Sequence, residues 1–144
     1  MQIAEIEIRY KSKVPASERE VIRTSMDCYN IFKELFPDIE HRERMVLLLL
    51  NRRNAVLGHY LVSIGGTSGT VCDPKIVFQV CLKANASYLV LAHNHPSGNL
   101  TPSKADIDLT KKIKEGAKLL ELQLMDHLII TAESYYSFAD EGVL

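Results

Sequence analysis

Two short segments made almost entirely of apolar residues limit what this chain can fold into. Residues 44–51 read RMVLLLLN and residues 87–92 read SYLVLA. Each segment is short for a buried helix and has no polar face, so each predicts a strand that is covered on both sides. Such strands require a sheet that is flanked by helices.

The remaining pattern supplies further strands and helices around this pair. Alternation over 3–10 predicts a half-buried N-terminal strand. Helices are predicted over 25–36 with Ser25 as N-cap, over 73–84 with Asp73 as N-cap and Pro74 following, and over 103–120. Further strands are predicted over 55–64, 122–131 and 135–139, and a loop at 65–70 (GGTSGT). The order predicts one α/β domain with a mixed sheet, in which 1–40 form a strand and helix extension and 41–144 form the core.

Composition narrows the functional classes. The chain has 144 residues, with 17 basic and 18 acidic side chains and a net charge of −1, so no global field favours DNA or an anionic membrane. The longest apolar run, 45–50, is far below the roughly 20 residues of a membrane helix. The N-terminal sequence is acidic where a signal peptide is basic, and Cys28, Cys72 and Cys81 form no C-x-x-C pair. We expect a cytoplasmic protein with reduced thiols.

The polar run HNHPSGNLTPSKAD follows the second buried segment directly. His93 and His95 are two residues apart, so they project to the same side if the backbone stays extended. Asp106 lies in the first turn of the next predicted helix, on its inward stripe, and is the candidate third ligand. Two histidines and an aspartate would leave one zinc position open for water, as in hydrolytic sites.

Each of these residues also has a purely structural interpretation. Asp106 alone would be the acid of a capping box that begins at Ser103. His41, His59 and His127 are interpreted as ordinary hydrogen-bonded histidines, although Asp126 and His127 could lie behind the ligands. A general base would have to come from Glu40 or Glu43, before the first buried strand, and the residues alone do not select between them.

The spacing His93-x-His95, seven residues, then Ser103-x-x-Asp106 resembles the JAMM signature of the JAB/MPN metalloproteases. HNHPSGNLTPS, together with DHLIIT and YYSFADEG, resembles the bacterial RadC family more narrowly, from about Glu43 to the C-terminus. The resemblance implies a cytidine-deaminase-like fold and zinc held by His93, His95 and Asp106. It also implies that Glu43 is the base and that Ser103 stabilises the tetrahedral intermediate.

These residues favour a zinc-dependent hydrolase that cleaves a peptide or isopeptide bond in a peptide or protein substrate. The alternative is a DNA-repair-associated accessory protein of the RadC type whose metal site is structural or vestigial. Many RadC proteins resemble a fusion with a preceding helix-hairpin-helix module. Only 42 residues precede Glu43, so we expect that module to be missing. DNA binding also has no support from the net charge.

Overall fold

The structure is a computed structural model that describes residues 1–65 and 71–144. Its five strands are β1 (Arg44–Leu50), β2 (Val56–Ile64), β3 (Tyr88–Asn94), β4 (Gln123–Ile130) and β5 (Tyr135–Ser137). Its helices are α1 (Ser25–Lys33), α2 (Pro74–Lys83) and α3 (Lys104–Leu119), with a 3₁₀ turn at Ala16–Glu18. The sheet order is β2-β1-β3-β4-β5, with β3 and β4 parallel and the other pairs antiparallel. The predicted α/β fold with a mixed sheet flanked by helices is confirmed.

Residues 45–50 of strand β1 are all apolar because both faces of the sheet are covered here. Met45, Leu47 and Leu49 point into the cluster formed with α2 and α3. Val46, Leu48 and Leu50 alternate with them and point into the cluster formed with α1. Full burial of a leucine contributes roughly 1.5–3 kcal/mol, so both faces of this strand stabilise the fold.

The same alternation along β3 decides where the polar residues at its end point. Leu89 and Leu91 face α2 and α3, whereas Val90 and Ala92 face α1. Since side chains alternate along a strand, His93 continues toward α3 and Asn94 toward the α1 side. The predicted strand 87–92 is too short at this end. It continues through His93 and Asn94 because both pair with β4, opposite Ile129 and Ile130.

Helix caps confirm two predictions and correct a third. Asp73 caps α2, with Pro74 as its first residue, and Ser103 caps α3. For α1, the prediction of Ser25 as N-cap is wrong, because Thr24 caps the helix through a reciprocal pair with Asp27. The helix also ends at Lys33 rather than at position 36.

The predicted N-terminal strand is wrong. Residues 3–10 alternate as a strand would, yet they have no hydrogen-bonded strand partner among the described residues. Ile3, Ile6 and Ile8 are 81%, 89% and 78% exposed. From this segment, the Tyr10 hydroxyl reaches the Leu57 carbonyl of β2 in a long contact of 3.5 Å. Alternation alone forms no strand without a neighbouring edge to pair with.

Two further sequence predictions concern the loop and the cysteines. Residues 66–70 of the predicted loop lie outside the described residues. Cys28, Cys72 and Cys81 are unpaired, as predicted, and burial raises their pKa values to about 12, about 11 and about 12. Such thiols stay protonated at neutral pH.

Within the described chain, we find no helix with the length and apolar character needed to cross a bilayer.

Candidate metal centre

Three predicted site residues from two neighbouring strands meet at one end of the sheet. The ligand atoms of Glu43, His93 and His95 all lie within 4.8 Å of one another. Strand β1 runs antiparallel to β3 and pairs Met45 with His93, which brings the residue just before β1 to the end of β3. These three residues therefore form a group that can hold a metal ion.

Helix α3 brings Asp106 to the same place. Its Oδ1 lies 3.3 Å from His93 Nε2, and its Oδ2 lies 3.4 Å from His95 Nε2. The two Nε2 atoms are 3.0 Å apart. Asp106 Oδ2 also accepts a hydrogen bond of 2.9 Å from the Ser103 N–H. Asp106 is therefore both the acid of the capping box and a residue of the metal centre. Its oxygens contact the two histidines, and Oδ2 also accepts the hydrogen bond from the Ser103 N–H.

The spacing of these atoms fits a small tetrahedral cation. Zinc bonds of about 2.0–2.2 Å place neighbouring ligand atoms of a tetrahedron about 3.3–3.6 Å apart. The two Nε2 atoms lie 3.0 Å apart, and the nearest Asp106 oxygen lies 3.3 Å from His93 Nε2 and 3.4 Å from His95 Nε2. His95 Nδ1 lies 2.5 Å from the Asn99 carbonyl, which can only accept, so Nδ1 donates and leaves Nε2 of the neutral ring as the ligand atom. The Glu43 carboxylate lies within 4.8 Å of the ligand atoms of both histidines.

Charge at the centre is shared between the carboxylate and the histidines. Burial alone would raise the pKa of Asp106, but its contacts with His93 Nε2 and His95 Nε2 outweigh burial and hold that pKa well below its ordinary value. The Asp106 carboxylate in turn raises the pKa of His95. A negative group that faces two imidazoles stabilises positive charge between them, whether a proton or a metal ion supplies it.

A third histidine, His127, lies directly behind the centre, where sequence reasoning left it open between an ordinary hydrogen-bonded residue and a partner of the ligands. His93 Nδ1 is 2.8 Å from His127 Nε2, and His127 Nδ1 is 2.6 Å from the Thr110 hydroxyl. The His127 ring is fully buried and stacks on Phe138, with ring centroids 4.8 Å apart. Burial lowers its pKa well below the ordinary value, so the ring is neutral at physiological pH. A histidine inside the apolar run of β4 was the available signal, since a buried ring needs two partners.

Asn94, between the two histidines, holds the segment that carries Glu43. Its amide nitrogen donates to the carbonyls of Ile39 and Arg42, and its oxygen accepts from the Arg44 N–H, each at 2.8 Å. Arg44 also pairs with Asp38, which lowers the pKa of that carboxyl. The backbone is therefore held on both sides of Glu43, at Arg42 and at Arg44.

Ser103 lies at the N-terminus of α3, beside this centre. Its hydroxyl accepts from the Asp106 N–H at 3.0 Å and keeps its own hydrogen for another acceptor. A groove of about 290 Å³ opens at His95, with Glu40, Ser97 and Glu133 in its lining. The site is thus reachable from solvent on that side.

Comparison with known proteins agrees with this geometry. A family model described as the RadC-like JAB domain matches residues 22–143. The chain belongs to the RadC family. The predicted resemblance, which was placed from about Glu43 onward, is confirmed and extends further toward the N-terminus.

Relatives cover nearly the whole chain but are longer than it. The UPF0758 protein of Flavobacterium johnsoniae is 44% identical over 122 residues, which is 85% of this chain and 53% of that protein. UPF0758 proteins of Desulforamulus reducens and Aquifex aeolicus are 35% and 33% identical and match 94% and 99% of this chain. The chain spans 60% and 59% of those two relatives. Their name assigns no reaction.

Proposed function

We propose that this domain is a zinc-dependent hydrolase that cleaves a peptide or isopeptide bond. The observation that carries the proposal is the convergence of three side chains. His93 Nε2 lies 3.0 Å from His95 Nε2 and 3.3 Å from Asp106 Oδ1, and His95 Nε2 lies 3.4 Å from Asp106 Oδ2. His93, His95 and Asp106 would hold the metal. Zinc supplies a Lewis acid that lowers the pKa of water from about 15.7 to about 7.

Residues around this centre would carry the proton transfers and stabilise the developing charge. Glu43 lies close enough to the histidines to take a proton from water on one carboxylate oxygen and to pass it to the leaving amine. The Ser103 hydroxyl, with its hydrogen uncommitted, would donate to the oxygen that becomes negative as the carbonyl is attacked. The groove beside His95 would admit an extended peptide.

The first test is elemental analysis of chelator-free protein beside the His95→Ala variant. We expect about one zinc per chain in the parent and a small fraction of that in the variant, because a three-ligand site loses most of its affinity with one ligand. A parent that holds no zinc after reconstitution would contradict the proposed metal centre.

The Glu43→Gln variant separates metal binding from chemistry. We expect it to keep zinc and to lose about 10²–10⁴-fold in turnover, since the amide cannot accept the proton. The assay is a screen of peptide and isopeptide substrates, with Glu40→Gln as the matched control at the neighbouring acid. Equal turnover of Glu43→Gln and the parent would show that Glu43 is not the general base.

A further inference from the structure

A chain of buried hydrogen bonds connects His93 with the backbone of α3. His93 Nδ1 contacts His127 Nε2 at 2.8 Å, and His127 Nδ1 contacts Thr110 Oγ1 at 2.6 Å. Thr110 Oγ1 donates to the Asp106 carbonyl oxygen at 2.7 Å. The chain thus starts at one residue of the metal centre and ends on the backbone of another, one helical turn before Thr110.

Only one order of hydrogens satisfies every contact in this chain. The Asp106 carbonyl can only accept, so the single Thr110 hydrogen points to it. Thr110 Oγ1 must then accept from His127 Nδ1–H, which leaves His127 Nε2 of the neutral ring as an acceptor. His93 Nδ1 must therefore donate to it. In the reverse order the Thr110 and Asp106 oxygens would face each other at 2.7 Å with no hydrogen between them.

We propose that Thr110 and His127 are positioning residues that place the hydrogen of His93 on Nδ1. The lone pair of His93 Nε2 then faces His95 and Asp106, where a metal ion is held. This inference rests on the proposed function for its consequence, which is metal affinity. The hydrogen on His93 Nδ1 follows from the contacts of Thr110 and of a neutral His127. The contacts of His93 Nε2 with His95 Nε2 and Asp106 Oδ1, at 3.0 and 3.3 Å, lie where a bound cation would be held. Neither Thr110 nor His127 touches the substrate side of the centre.

The matched pair Thr110→Val and Thr110→Ser tests the proposal. Valine keeps the shape of threonine but removes the acceptor for His127 Nδ1–H, whereas serine keeps the hydroxyl. Without that acceptor, His127 can turn its hydrogen to Nε2 and donate to His93 Nδ1. The His93 hydrogen then moves to Nε2 and blocks the ligand atom.

The readouts are the ¹⁵N NMR spectrum of histidine-labelled, metal-free protein at about pH 8, above the usual histidine pKa of about 6.5, and the zinc dissociation constant. We expect a protonated His93 Nδ1 in the parent and in Thr110→Ser. In Thr110→Val we expect a mixture of the two ring forms and zinc affinity about 10–100-fold weaker, as for partners of ligating histidines generally. Thr110→Ser should stay within about threefold of the parent, since its hydroxyl remains.

The outcomes separate this inference from the proposed function. A parent His93 that carries its hydrogen on Nε2 overturns the inference without any variant having to fold. A folded Thr110→Val protein with unchanged ring form and unchanged zinc affinity also overturns it. A parent with the hydrogen on Nδ1 that binds no zinc overturns the proposed function, while the ring-form change in Thr110→Val still supports the order of hydrogens.

Discussion

Asn94 shows how one side chain at a strand end organises a site that it does not enter. The histidines on either side of it point to α3, whereas its own amide points to the opposite face of the sheet. There it satisfies two carbonyls and one N–H of the segment that leads into β1. Because Glu43 lies inside that segment, its place beside the histidines depends on this amide.

We therefore expect Asn94→Ala to loosen Glu43 while leaving the ligands in place. Loss of the amide removes the partner of three half-buried or exposed backbone groups. The cost is below the roughly 1–3 kcal/mol of a fully buried group, because water can replace part of the lost bonds. Amide hydrogen exchange at Arg44 should become faster, and zinc affinity should stay within about threefold of the parent. Asn30→Ala, at an exposed position of α1, is the control. Unchanged exchange at Arg44 would show that Asn94 does not hold the segment.

At the scale of elements, α1 contributes packing rather than chemistry. Tyr29 and Phe32 fill the cluster on the second face of the sheet, and the Tyr29 hydroxyl donates to the Thr131 carbonyl at 3.3 Å. The helix begins at a reciprocal cap, in which Thr24 Oγ1 accepts from the Asp27 N–H at 3.2 Å and Asp27 accepts from the Thr24 N–H at 2.9 Å. Ser25 is inside the helix, and its hydroxyl contacts Tyr135 and Asp140 instead.

Thr24→Ala should lower the free energy of unfolding by about 1 kcal/mol, within the range of about 0.5–2 kcal/mol for lost caps. Thr24→Ser keeps the oxygen and should stay close to the parent. Urea unfolding followed by circular dichroism measures both variants. Equal stability of Thr24→Ala and the parent would place the start of α1 elsewhere.

At the scale of the whole molecule, the carboxyl groups respond differently to a fall in pH, because the fold lowers the pKa of some of them and raises that of another. The side-chain hydrogen bond from Arg44 lowers the pKa of Asp38, and backbone hydrogen bonds, the first of them from Arg23, lower that of Asp27. Asp126 is the opposite case, since burial raises its pKa. A lowered carboxyl pKa stabilises the fold above the unfolded-state pKa of about 3.9, and this contribution is lost as pH falls through the folded-state pKa.

The gap in unfolding free energy between the parent and Asp38→Asn should therefore narrow as pH falls from about 6 to about 3. The reason is that protonation removes the same charge that the substitution removes. Chemical unfolding at a series of pH values measures the gap, with Asp108→Asn at an exposed site on α3 as the control. A gap that widens in acid would contradict the role of the Asp38–Arg44 pair.

Local sequence patterns are enough to predict the layered α/β fold and most of its helices and strands. The apolar runs 45–50 in β1 and 88–92 in β3 are buried on both faces, between two layers of helices. Local rules placed the caps of α2 and α3, because an N-cap depends on neighbours three residues away. The residues alone did not select Glu43 over Glu40, and the resemblance to the RadC family supplied that choice. The pairing of β1 with β3 places Glu43 beside His93 and His95.

Strand pairing and hydrogen bonds between residues far apart in the sequence became visible only in the tertiary structure. Residues 3–10 carry a strand pattern but meet no edge, because pairing depends on a partner that local alternation does not supply. His127 and Thr110 are 34 and 17 residues from His93 along the chain, yet parallel pairing of β3 with β4 under α3 brings all three into one chain of hydrogen bonds. Whether a buried histidine is a packing residue or the partner of a ligand depends on these contacts, and no local spacing encodes them.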